Sequence, residues 1–198
     1  MKSLKVLSVA LLLLLVASSL PAVAGVVNMQ FNGTGGYSWG GFYTYPYHFT
    51  VDGQSYNLMC VSYSNEIYGG ETWQANVYTV AGYGALPGQT LLVAEKLAYL
   101  YLQAEADGGS NPLINAEAWY INGAPISEPD PTLLSGFVFG SSTYPTVRVY
   151  VPIAGTQIPS ADGIPQIFFG STPEPSTLLM MGSGLLGVAG LARKRLFS

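Results

Sequence analysis

The stretch Tyr47-His48-Phe49-Thr50-Val51-Asp52-Gly53-Gln54-Ser55-Tyr56-Asn57-Leu58 sets the architecture. Two runs rich in aromatic and β-branched residues flank an Asp-Gly pair. Such a pair suits the two-residue turn of a β-hairpin, whose central residues take positive φ. Beyond this hairpin, strand character covers Phe42 to Val51 and Tyr56 to Tyr63. It recurs at Thr72 to Val80, Gly136 to Phe139, Val147 to Val151 and Ile164 to Phe169. In the third of these runs, Trp73, Ala75, Val77 and Thr79 alternate with Gln74, Asn76, Tyr78 and Val80, the period of a strand with one buried face. Gly33 through Gly41 is dense in glycine and reads as turns.

Helical character interrupts the strands twice. Leu91 to Ala106 is rich in Leu, Ala, Glu and Lys, and Asp107-Gly108-Gly109 stops it. Asn111 caps a second helix with Pro112 at its first position, running to about Ile121, and the prolines between Ala124 and Pro131 mark a loop. The order predicts an α+β fold, mainly antiparallel β-sheet (sandwich or barrel-like), with a central two-helix insertion. About 145 residues suffice for one core without disulfides.

Charge is scarce and unevenly placed. Of 198 residues, 49% are hydrophobic, 13% aromatic and only 9% charged, against roughly 25% charged in an ordinary soluble domain. Five of the seven bases (Lys2, Lys5, Arg193, Lys194 and Arg195) sit at the two ends. Between Val26 and Gly170 two bases face ten acids, a formal charge of −8 against −4 for the whole chain. A nucleic-acid surface needs clustered Lys and Arg to displace counterions, so nucleic acid is excluded as a partner.

Both ends read as processing segments. Lys2 and Lys5 precede the apolar run Val6 to Val16, and Ala22-Val23-Ala24 supplies the small-x-small site of a signal peptidase. Residues 1–24 are therefore expected to be a cleavable signal helix read by the Sec translocon, with Ala22 and Ala24 framing the cut. At the other end, Thr172-Pro173-Glu174-Pro175-Ser176 is followed by an uncharged apolar run and then by Arg193-Lys194-Arg195. Residues 177–192 form about 24 Å of helix, a single C-terminal transmembrane segment. Gly182, Gly184, Gly187 and Gly190 keep one side of it small. The basic cluster stays cytoplasmic, and the prolines keep the helix from extending back past Ser176. The domains are thus 1–24, 25–170 and 171–198.

The order Pro173-Glu174-Pro175, glycine-rich apolar helix, Arg193-Lys194-Arg195 resembles the PEP-CTERM sorting signal of Gram-negative bacteria. The resemblance covers about an eighth of the chain, and only Leu196-Phe197-Ser198 trail beyond its pattern. It implies that an exosortase, a membrane-embedded cysteine transpeptidase-like enzyme, recognises the tripeptide and processes the exported protein. It further implies an inner-membrane-anchored precursor destined for the cell surface or extracellular matrix, with exopolysaccharide or biofilm as the setting.

Chemistry-bearing residues are few. His48, the only histidine, lies in an aromatic strand without a nucleophile-elbow pattern. The scattered acids form no calcium loop, and no metal or other cofactor is expected. The lone cysteine, Cys60, has no internal disulfide partner. It reads as a buried strand thiol, with a reactive thiol as the sharper alternative. In that second sense Cys60, Gly70-Glu71-Thr72-Trp73 and Ile114-Asn115-Ala116-Glu117-Ala118-Trp119 resemble the thioester adhesin domains of bacterial surface proteins, where a strand cysteine bonds to a glutamine. Here Asn115 stands in the glutamine's place, and Glu117 and Ala118 replace a small-then-apolar pair. With no acid, base and nucleophile set apparent, an enzyme is not expected. The 14 Tyr, 8 Phe and 3 Trp build the core, and those left on the surface offer a face for sugar rings.

Overall fold

A computed structural model describes residues 23–140, 144–158 and 165–171. The strands are β1 (Val23–Thr34), β2 (Ser38–Trp39), β3 (Phe42–Tyr43), β4 (Tyr47–Val51), β5 (Gln54–Cys60), β6 (Thr72–Thr79), β7 (Val147–Pro152) and β8 (Phe168–Ser171). Between β6 and β7 lie α1 (Val80–Gly84), α2 (Leu91–Asp107), α3 (Leu113–Ile121) and a 3-10 turn at Pro131–Leu134. Six strands close into an antiparallel barrel in the order β1-β4-β5-β8-β7-β6, while β2 and β3 form a separate small hairpin. The expected antiparallel architecture is present, in its barrel form.

The Asp-Gly turn closes β4 on β5 with Val51 opposite Gln54. Asp52 and Gly53 both have positive φ, 46° and 84°, and the turn is tied down by Asn28, whose backbone N–H donates to Asp52 Oδ1 at 2.9 Å. The alternation in β6 also holds. Trp73, Ala75 and Val77 are buried inside the barrel with Phe49 and Phe168. Every one of the six strands contributes to that interior: Met29 and Phe31 come from β1, Leu58 and Cys60 from β5, and Tyr150 from β7.

A second core lies outside the barrel. Met59, Val147, Val149 and Phe169 point away from the lumen, against Leu97, Leu100 and Tyr101 of α2 and Ile114 and Ala118 of α3. The period of two along β5 and β8 thus feeds two cores at once. Thr90 caps α2 by accepting from Val93 N–H at 3.2 Å. Gly108 ends it at φ 67°, a left-handed position that suits glycine. α3 starts one residue later than expected, with Pro112 at its N-cap, and Asn111 Oδ1 accepts from Leu113 N–H at 3.1 Å just ahead of it.

Several expectations need correction. The strand expected over Ile164 to Phe169 begins only at Phe168, and the one expected over Tyr56 to Tyr63 ends at Cys60. Phe42 to Val51 is not one strand: it breaks at Thr44-Tyr45-Pro46, separating β3 from β4. Gly136 to Phe139 forms no strand. Val138 and Phe139 are exposed and lie beyond the 3-10 turn with no pairing partner, so apolar character alone does not make a strand there. β1, the longest strand, was unanticipated, as was the short α1. β1 pairs from Val23 opposite Tyr78, with an irregularity between Ala24 and Val26, so regular pairing starts at Val26. Residues 1–22 of the expected signal helix, the expected transmembrane helix and the Pro-Glu-Pro motif lie outside the described residues, whereas Val23 and Ala24, expected to end the signal helix, pair with β6 as the start of β1. No helix among the described residues is long and apolar enough to cross a membrane.

Candidate functional site

β8 leads directly toward the Pro-Glu-Pro motif, and its last residue is clamped. Ser171 N–H donates to Tyr101 Oη at 2.7 Å, and Ser171 Oγ donates to Glu105 Oε1 at 2.7 Å. Tyr101 Oη itself reaches Glu105 Oε1 at 2.9 Å. Tyr101 is buried between strand and helix, and that burial pushes its phenol well above the ordinary tyrosine range. The clamp joins the last strand to α2, leaving only Thr172 before Pro173.

Cys60 ends β5 inside the barrel with no exposed surface. Its thiol donates to the Ser62 carbonyl at 3.3 Å, and burial pushes it up to about 12. Asn115, the residue in the glutamine position of the thioester pattern, is also buried, and it meets the backbone around Cys60. Its Oδ1 accepts from Tyr45 N–H at 2.8 Å and its Nδ2 donates to the Cys60 carbonyl at 2.8 Å. Asn115 thus bridges α3 to the end of β5, with its amide spent on two main-chain bonds. A thiol so placed is protonated at neutral pH. Alkylation by iodoacetamide at pH 8 is expected to be negligible in the native protein and complete after denaturation. An intact mass lower by one ammonia would instead reveal a thioester.

Other candidates are placed apart. His48 sits half-buried on the outer face of β4, with Nδ1 2.8 Å from Asn57 Oδ1. Glu117 is fully buried on α3. Its Oε2 accepts from Asp130 N–H at 3.2 Å, and burial, reinforced by Glu128 and Asp130, raises its pKa. Among the described residues no three His, Cys, Asp or Glu side chains converge as a metal site would require.

One concavity lies outside the sequence expectations. A cleft of about 780 Å³ opens where the end of β1, the start of β4 and the loop after β5 meet α3. Phe42, Tyr63 and Trp119 form one wall: Phe42 and Tyr63 have ring centroids 4.7 Å apart, and Tyr63 lies 5.6 Å from Trp119. The lining continues along the 64–69 segment, pinned by buried Glu71, whose Oε2 accepts from Tyr68 N–H at 3.1 Å and from Gln157 Nε2 at 3.0 Å. The sequence held one sign of this wall, its concentration of tyrosines. Gln166 and the serine-bearing rim gave none.

Nothing matches this chain among curated proteins or among solved structures. Residues 171–195 do match a family model, the PEP-CTERM protein-sorting motif. The chain therefore carries at its C-terminal end, from the clamped Ser171 onward, a signal for export and cell-envelope sorting, with an exosortase as the processing enzyme.

Proposed function

We propose that this is a surface or extracellular-matrix protein serving exopolysaccharide and biofilm production, with no catalytic activity of its own. The observation that carries the reading is the sorting motif at 171–195, beginning on the last residue of the barrel. In this scheme residues 1–24 direct Sec export and are removed by signal peptidase after Ala24. The helix 177–192 holds the precursor in the inner membrane, and Arg193-Lys194-Arg195 stay on the cytoplasmic side. Exosortase then acts at Pro173-Glu174-Pro175 and frees or transfers the acidic domain. Because one residue separates the clamp from Pro173, the enzyme meets its tripeptide directly beneath a folded barrel.

Glu174→Ala, expressed in a host with its exosortase, is expected to leave export intact while unprocessed precursor accumulates several-fold. Immunoblotting of membrane and extracellular fractions measures this. Processing at the normal level would reject the sorting role.

A further inference from the structure

We propose that the aromatic cleft binds a neutral glycan strand, with sugar rings stacked on Tyr43, Tyr68 and the Phe42–Tyr63–Trp119 wall. Tyr43 and Tyr68 are 59% and 58% exposed. Among the described aromatic rings only Phe139 comes near that exposure, and both tyrosines line the cavity. The face of an aromatic ring carries negative charge density, which attracts the polarised C–H bonds on the flat side of a pyranose. The volume of about 780 Å³ falls within the roughly 300–1,000 Å³ of small-ligand clefts.

Hydrogen-bonding capacity waits there as well. Trp119 is buried, its Nε1–H facing the Cys60 thiol. Gln166 is buried too. Its Nε2 donates to the Asn65 carbonyl, while its Oε1 has no partner among the described residues. Both side chains line the cleft. A buried acceptor left open at the cavity wall is costly unless a ligand meets it, and a sugar hydroxyl can donate to it. Ser62, Ser64 and Asn65 add short neutral groups beside them.

Charge selects among polymers. Among the described residues the lining contains no Lys, Arg or His, and Glu66 is its one charged residue. Its carboxylate already accepts from Tyr68 Oη at 2.7 Å. The field of the acidic domain repels polyanions, and one engaged carboxylate offers little to a polycation. An apolar peptide is also a poor fit, since Ile67 and Pro125 are the only branched aliphatic or proline side chains in the lining.

The barrel's directions place the site usefully. Every neighbouring pair is antiparallel, so β1, β5 and β7 run one way and β4, β6 and β8 the other. The start of β1 and the end of β8 therefore share one pole. The end of β1, the start of β4, the end of β5 and the start of β8, which surround the cleft, share the opposite pole. A domain held by either chain end presents the cleft away from its attachment.

The binding does not depend on exosortase processing, so it stands or falls separately from the sorting role. The full chain, purified in detergent, is applied to a printed array of neutral, acidic and basic oligosaccharides, with affinities then measured for the bound neutral sugars. Saturable binding to neutral sugars is expected, at least tenfold tighter than to charged ones. Tyr43→Ala and Tyr68→Ala, both at exposed rings, should each weaken it by about tenfold, as truncating a stacking partner does. Binding to no neutral sugar, equal or better binding to charged sugars, or affinity untouched by the two tyrosine variants would overturn the proposal.

Discussion

Replacing Phe168 with Ala is expected to cost about 3–5 kcal/mol of stability, read as a lower midpoint in chemical denaturation. Phe168 has no exposed surface and stands at the centre of the barrel's aromatic packing. Its ring centroid lies 4.6 Å from Phe49, 5.6 Å from Tyr47 and 6.4 Å from Trp73. Truncation leaves a cavity between four strands, which a closed barrel fills poorly by local movement. The same residue begins β8, opposite Cys60 on one side and Tyr150 on the other. Phe168→Leu, which keeps much of the volume, should lose far less. A loss under 1 kcal/mol for Phe168→Ala would mean that the barrel interior is not packed as described.

Asn115→Ala is the second large effect. It removes no charge and little volume, yet it strips partners from two buried main-chain groups, Tyr45 N–H and the Cys60 carbonyl. Each orphaned group costs about 1–3 kcal/mol. The bridge also joins three parts of the fold: α3, the end of β5 and the break before β4. Asn115→Asp keeps an acceptor for Tyr45 N–H but sets a carboxylate oxygen against the Cys60 carbonyl. Burial favours the neutral acid, so the folded-state pKa of this new group lies above its unfolded value. The variant should therefore lose stability as pH rises from the unfolded pKa through the folded one. Denaturant titration of both variants across pH 4 to 8 measures this. A pH-independent Asn115→Asp would count against the bridge.

The parts of the fold legible in the sequence are those whose determinants are local. Asp52-Gly53 specifies its own turn, Thr72 to Thr79 announces its buried face by alternation, and Asp107-Gly108 stops α2 with a residue suited to left-handed φ. β1 was harder. Val27, Met29 and Phe31 do alternate, but they sit between a cleavage-site pattern and a glycine-dense run, and their partners on β4 and β6 lie far along the chain. Barrel closure depends on Met59 meeting Phe169, a pairing across more than a hundred residues that no window of sequence contains. Gly136 to Phe139 shows the converse error, an apolar run whose neighbours do not come to it. The sorting motif was legible because it is read as linear sequence. The cleft was not, because Phe42, Tyr63 and Trp119 come from three separated segments and only the packing decides which tyrosines face out.

The position of β8 has a consequence in time. It is the last strand among the described residues, yet it sits between β5 and β7 rather than at an open edge. Until Phe168 to Ser171 arrive, β5 and β7 each present an unpaired side, and the seam of the barrel stands open. A chain delivered amino end first therefore cannot complete this domain until its final strand has emerged. The next residues to emerge are those of the sorting motif. Domain completion and arrival of the processing signal are thus one step apart, and a chain truncated before β8 would carry neither a closed barrel nor the signal.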